Sequence, residues 1–361
     1  MNPRTRRALL LVGLVLVPAP SSRVSGQGTA DSDHHASVLE RTHPEVYEIM
    51  VRLERAHGVL FGRLAKEGEV VRASGEDAPT FEFELEMLER LTGMVQEEGT
   101  LEDVAEEAAA GFAVLGPKAA AIIARGNAFH REVLGILADP EITEFAARRA
   151  ALAEAVERYR SRPEVALPSA PKDMDLLYDH PHALDFRSGY ADVDGLIWAG
   201  HWLKLAATEP LTDLRGAQRT AGLDTVIARY YSKLSYGEPP EFFPSEIPLA
   251  PAIAPGLIFL SPESAMIWDN LSMMQEVLAD VLASPEVTDV RAAIDEAVEH
   301  FMDPTFAMTD QADWEIMALR HGIFFQGGYP LAVMTESELN VGGHAAHLRG
   351  GGPIIIPGMP R

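Results

Sequence analysis

Residues 117–160 read PKAAAIIARGNAFHREVLGILADPEITEFAARRAALAEAVERYR, and this stretch decides the fold. Its composition and breaks predict two helices, over about 117–137 and 143–160, joined by a turn at Asp139-Pro140. Asp139 can cap the N–H groups that follow, and a proline there gives up only an N–H that a first helical turn leaves unpaired. The pattern then recurs. Leu137-Ala-Asp-Pro-Glu-Ile-Thr143 matches Leu282-Ala-Ser-Pro-Glu-Val-Thr288. Ala151-Leu-Ala-Glu-Ala-Val-Glu-Arg-Tyr159 likewise matches Ala293-Ile-Asp-Glu-Ala-Val-Glu-His-Phe301, with three residues fewer between the blocks. Two copies of one helical hairpin are expected, packed against each other.

Towards the N-terminus the helical pattern continues. Val46, Ile49, Met50, Leu53, His57, Leu60 and Leu64 recur at threes and fours and predict a helix over about 44–66. Helices over about 80–98 and 101–115 follow, the second closed by Gly116-Pro117. Beyond the first hairpin, residues 161–189 form a proline-punctuated connection, then come helices over about 191–208 and 211–235. Seven prolines between 239 and 262 are read as excluding helix. That segment nevertheless carries nine large apolar side chains, so it is expected as an ordered strap with Phe242, Phe243, Ile258 and Phe259 mostly occluded. Helices resume over about 262–283, 286–302 and 311–324, and residues 327–361 form a Gly/Pro-rich tail. The expected fold is therefore all-α, a multi-helix bundle with a duplicated hairpin and a long proline-rich apolar strap. By segment, 1–26 is a leader, 27–36 disordered, 37–162 an N-terminal helical region and 163–238 a linker with middle helices. The strap at 239–262, a C-terminal helical region at 263–326 and the tail complete the chain.

The leader has the form of a secretory signal peptide: Arg4, Arg6 and Arg7, an apolar run from Ala8 to Val17, and small residues Val24-Ser25-Gly26 before Gln27. Ten to thirteen apolar residues reach about 15–20 Å as a helix, short of the ~30 Å hydrocarbon core. No later stretch is long enough to span, so a periplasmic or secreted protein without an integral membrane span after cleavage is expected. The chain has 361 residues, 47% hydrophobic and 23% charged, which is a globular composition. It has no cysteine, so disulfides, thiol nucleophiles, iron–sulfur clusters and covalently attached haem are excluded. Net charge is −24; the leader holds four arginines and no acid, leaving −28 for the rest. Nucleic acid and anionic lipid are poor partners for such a surface.

HExxH, GxSxG, P-loop, Rossmann and EF-hand signatures are absent, so chemistry falls to histidine with carboxylate. Glu54-Arg-Ala-His57 puts both side chains on one helical face, the spacing of a carboxylate-bridged metal site. His180-Pro-His182 lies in an irregular segment with Tyr178, Asp179, Asp185 and Arg187, where polar groups converge without helical constraint. The candidate ligand-binding residues are Tyr178, Asp179, His180, His182, Arg187, His201 and Trp202, and the candidate metal ligands are His180, His182, Glu54, His57 and His300. His57, His130 and His201, set among apolar or small neighbours, also suit a satisfied core, as do the aromatic residues Trp198, Trp202, Tyr230 and Tyr231. Two functional readings follow. One is a non-catalytic exported helical binding protein, or an accessory subunit of an envelope complex docked through 239–262 or 327–361. The other is a metal- or histidine-dependent enzyme with its site near 178–187.

Overall fold

The computed structural model describes residues 25–75, 81–96, 105–173, 175–213, 215–234, 247–307 and 312–315. The leader through residue 24, Phe242, Phe243 and the tail lie outside these. Within the described residues the fold is all-α, with fifteen helices and no strand. They are α1 (Ser25–Thr42), α2 (Pro44–Ser74), α3 (Phe81–Gln96), α4 (Ala105–Val114), α5 (Pro117–Ala138), α6 (Phe145–Arg160), α7 (Asp175–Tyr178) and α8 (Asp185–Gly189). The chain continues through α9 (Ala191–Ala206), α10 (Thr208–Asp213), α11 (Gly216–Leu234), α12 (Ala250–Ile253), α13 (Pro255–Leu260), α14 (Pro262–Ala283) and α15 (Val290–Met302). Residues 27–36, expected to be disordered, belong to α1. No helix among the described residues is long and apolar enough to cross a membrane.

Where the repeat was expected, two helix–turn–helix units stand, α5 with α6 and α14 with α15. α5 and α14 each run 22 residues, and each begins on a proline. Each ends in an extended residue at the same relative place, Asp139 at φ −63, ψ 118 and Ser284 at φ −59, ψ 126. The Asp139 carboxylate accepts from Glu141 N–H at 2.8 Å, and Ser284 Oγ accepts from Glu286 N–H at 3.3 Å, so side chains close both turns. Pro140 and Pro285 are not first helical residues, however. They lie in the turns, and α6 and α15 begin five residues later, α15 capped by Asp289 on Ala292 N–H.

From residue 250 on, the expected strap is helical. Prolines inside it start helices rather than prevent them: Pro251 sits at the start of α12, Pro255 opens α13 and Pro262 opens α14, where a missing N–H costs nothing. Ile247, Leu249, Ile253, Leu257 and Leu260 are buried. Phe259 is 72% exposed, because the helical turn of α13 that buries Leu257 and Leu260 turns position 259 outward, against the exposed Phe145. Ile258 is half-buried on the core.

Every residue from Ser264 to Ala283 is buried, so α14 is the axis of the fold, with α9 beside it buried from Val193 to Ala206. Two apolar clusters fill the molecule and meet where α2, α5, α9 and α14 pass from one to the other, at about Leu53–Ala56, Ile123–Phe129, Ile197–Trp198 and Trp268–Leu271. The buried polar residues His57, Asn127, His130, Asp269 and Asn270 and the half-buried Glu54 lie at or beside this seam. Several act as ties. Asn270 accepts from Lys172 N–H and donates to the carbonyls of Pro168 and Ala170, pinning the connection after α6. Asp269 accepts from Ala250 N–H, pinning α12, and burial holds its carboxyl well above the usual range.

α2 and α4 cross backbone to backbone. A Cβ on Gly111 would sit 1.6 Å from the Gly58 carbonyl oxygen, a rigid group that cannot move aside. Gly111→Ala is therefore expected to destabilise by about 1–3 kcal/mol through overpacking, read as a lower urea midpoint. Gly93→Ala, whose added Cβ meets nothing within 4 Å, is the control and should lose nothing.

Candidate functional site

α14 also builds a cavity. Near its C-terminal end the fully buried Asp280 accepts backbone N–H groups from Leu184 (3.3 Å), Phe186 (2.9 Å) and Arg187 (3.4 Å). The Arg187 guanidinium adds Nε at 3.1 Å and Nη2 at 2.8 Å. The same guanidinium donates to the Leu177 carbonyl and lies 5.2 Å from the centre of the Tyr178 ring. One carboxylate thus holds the whole 177–187 segment on α14, and burial of the pair is compensated by its hydrogen bonds. Leu184 adopts φ 72, the one non-glycine residue among those described in the left-handed region, which costs about 1–2 kcal/mol. His182 Nδ1 lies 3.0 Å from Ser284 Oγ, and His180 Nε2 lies 3.4 Å from Asp280 Oδ2. Burial holds the His182 imidazole below its ordinary value and the nearby Asp185 carboxyl above its own.

Between this segment and α15 opens a cavity of about 520 Å³. Its floor is Val277, Val281, Ala293, Ala297, Phe301 and Phe306, and its polar groups are Asp173, Asp175, Asp179, Glu296, His180, His182, His300 and Thr305. The exposed Asp175 carboxyl is pushed up chiefly by the charge of Asp173, with that of Asp179 adding to it. Lys172, next to Asp173 in the chain, is held on α15. Its buried ammonium donates to the carbonyls of His300 and Asp303 at the end of α15, and burial lowers it to about 8.

A second polar group lies deeper in the bundle. His57 of α2 and His201 of α9 stack with ring centres 5.3 Å apart, and His130 of α5 meets the Trp268 ring edge-on at 4.4 Å. The His57 Nδ1 lies 2.9 Å from the Leu53 carbonyl, to which it donates. Burial lowers all three imidazoles, His57 to about 3, with the Lys204 charge acting in the same direction, so they are neutral at pH 7. Lys204 is itself lowered to about 8 by burial, with the Glu54 charge opposing the fall. His201 Nδ1 is 3.8 Å from Glu276, and Glu276 is hydrogen-bonded to Asp194. Burial raises both carboxyls; the Glu276 charge adds to the rise of Asp194, the Asp280 charge adds to both, and Arg187 opposes it. Through Arg187 this buried group joins Asp280 and the cavity.

The candidate residues thus divide between two places. Asp179, His180, His182 and His300 line the cavity; Tyr178 and Arg187 lie behind it as its support. His57, His201 and Trp202 lie in the core, with Trp202 fully buried, and Trp198 and Tyr230 are buried as well. Glu54 and His57 do not converge: Glu54 pairs with Arg131, and His57 turns to His201. None of the five candidate metal ligands belongs to a trio of ligand atoms within 4.8 Å of one another among the described residues. Asp194, Lys204, Glu276 and Asp280 are not among the candidates, and the one local signal they leave is the Glu276/Asp280 pair at i,i+4. Comparison of the chain with protein-family models, curated proteins and solved structures gives no match.

Proposed function

We propose that this chain is an exported, periplasmic or secreted, helical binding protein whose ligand is a small amphiphilic cation held in the cavity between residues 173–182 and α15. The observation that carries the reading is the cavity itself, which joins an apolar floor to a rim of four carboxylates and three histidines. Its volume of about 520 Å³ suits a small organic molecule. An apolar body gains by leaving water against Phe301 and Val281, and an ammonium group relieves the repulsion among Asp173, Asp175 and Asp179. The net charge of −24 draws cations to the surface before they bind.

Calorimetric titration with octylamine and with octanoate separates the chemistry. Octylamine is expected to bind once per chain and octanoate not at all. Ala297→Trp, which fills the cavity from α15, is expected to abolish binding without unfolding the protein. Equal binding of amine and carboxylate, or unchanged binding in Ala297→Trp, would refute the proposal.

A second reading rests on His180, whose Nε2 lies 3.4 Å from the buried Asp280 at the cavity wall, as in a carboxylate-oriented general base. It predicts turnover of an ester or amide analogue of the bound amine, lost in His180→Ala while binding persists.

A further inference from the structure

The turn closing the first hairpin carries a set of side chains that the cavity does not use. His34 and His35 of α1 and Asp139 at the end of α5 each offer one ligand atom, all within 4.8 Å of one another, and no other trio of His, Asp or Glu does so among the described residues. Their approach is built into the packing. A Cβ on Gly135 would sit 2.0 Å from the His35 carbonyl oxygen, so the α1 backbone lies directly on α5 one turn before Asp139. Asp139 is buried, and its Oδ1 is fixed by Glu141 N–H at 2.8 Å, which sets the direction of the other oxygen. The two imidazole rings lie 5.4 Å apart at 64°, too inclined to stack.

We propose that His34, His35 and Asp139 form a site for a divalent first-row metal ion, zinc being the reference case, which fastens α1 to the turn of the first hairpin. Two imidazoles and one carboxylate are the donors such ions take, and water completes the coordination. In a tetrahedral zinc site the ligand atoms lie about 3.3–3.5 Å apart, so closure from within 4.8 Å asks for shifts of about 1 Å. His34 is exposed and supplies that movement by side-chain rotation. Asp139, held by its turn, is the fixed point. The site is distinct from the cavity, where His182 faces Ser284, the counterpart of Asp139 in the second hairpin.

The test uses the full exported chain, free of any affinity tag and stripped by chelator, titrated with zinc chloride by calorimetry at about pH 7.5, where imidazoles are deprotonated. One zinc per chain is expected, with affinity at least about 100-fold weaker in His34→Ala/His35→Ala and at least about tenfold weaker in Asp139→Asn. Zinc should raise the melting temperature of the wild type and leave that of the double-histidine variant unchanged. His34→Ala alone, a change at an exposed residue, serves if Asp139→Asn disturbs the turn. His180→Ala/His182→Ala should bind zinc as the wild type does. Loss of binding in that variant, equal zinc affinity in the wild type and His34→Ala/His35→Ala, or no stoichiometric uptake up to about 1 mM zinc would overturn the proposal.

Discussion

Asp280→Ala is expected to lower the unfolding free energy by about 3–5 kcal/mol, the largest effect of any single substitution at the site. The loss has two sources. The Arg187 guanidinium, whose side chain is 1% exposed, would be left as a buried charge without its partner, and the N–H groups of Leu184, Phe186 and Arg187 would lose their acceptor. Replacing both partners, as Arg187→Met/Asp280→Leu, should recover part of the loss by removing the stranded charge, but not all, because the backbone donors stay unpaired. Urea unfolding measures the stability, and hydrogen exchange across residues 177–190 locates it. Asp280→Ala should also lose octylamine, since His180 and His182 depend on the same anchor. A destabilisation below about 1 kcal/mol would mean that the segment is held by packing alone.

The second large effect is the dependence of stability on pH. Asp194 and Glu276 have folded values above their unfolded ones, Glu276 at about 7. Their contribution is complete below the ordinary carboxylate range and is lost as pH rises through the raised values. His57, His130 and His201 act in the opposite sense. Their folded values lie below 6.5, that of His57 at about 3, so their contribution is complete above 6.5 and is lost as pH falls from there. Stability should therefore decline on both sides of a mildly acidic maximum. In Glu276→Gln the alkaline decline should shrink: from about pH 5 to 8 the wild type should lose about 2–3 kcal/mol more than the variant. Identical profiles would show that Glu276 titrates as it would in water.

The helices were legible where one signal dominated. The stripe from Val46 to Leu64 marked α2, and the Pro-Glu turns marked where α5 and α14 end, since these are local effects of periodicity and capping, while the starts of α6 and α15 fall later than the prolines suggest. The strap was misread because proline was counted only as a breaker. At Pro255 and Pro262 the missing N–H falls on a first helical turn, and in a helix Phe259 faces out where an extended chain would have let it face in. The cavity was half legible: an irregular segment rich in His and Asp pointed to 178–187, and His300 joined it as one of the candidates. What held that segment was not legible. Asp280 lies 93 residues from Arg187, and α14 scatters its polar residues around an axis that is buried on every side, so no amphipathic face set them apart. The Glu54/His57 spacing misled for the same reason, as each side chain found its partner on another helix.

α14 holds residues 177–187 beside α15 and leaves the cavity proposed to take a cation. Crystallising the exported chain with octylamine tests it most directly. The account predicts the alkyl chain between Val281 and Phe301 and the ammonium within hydrogen-bonding reach of Asp175 or Asp179, with the Arg187–Asp280 pair intact behind them. Octylamine bound elsewhere on the surface with the cavity empty, or a cavity closed by α15, would contradict it.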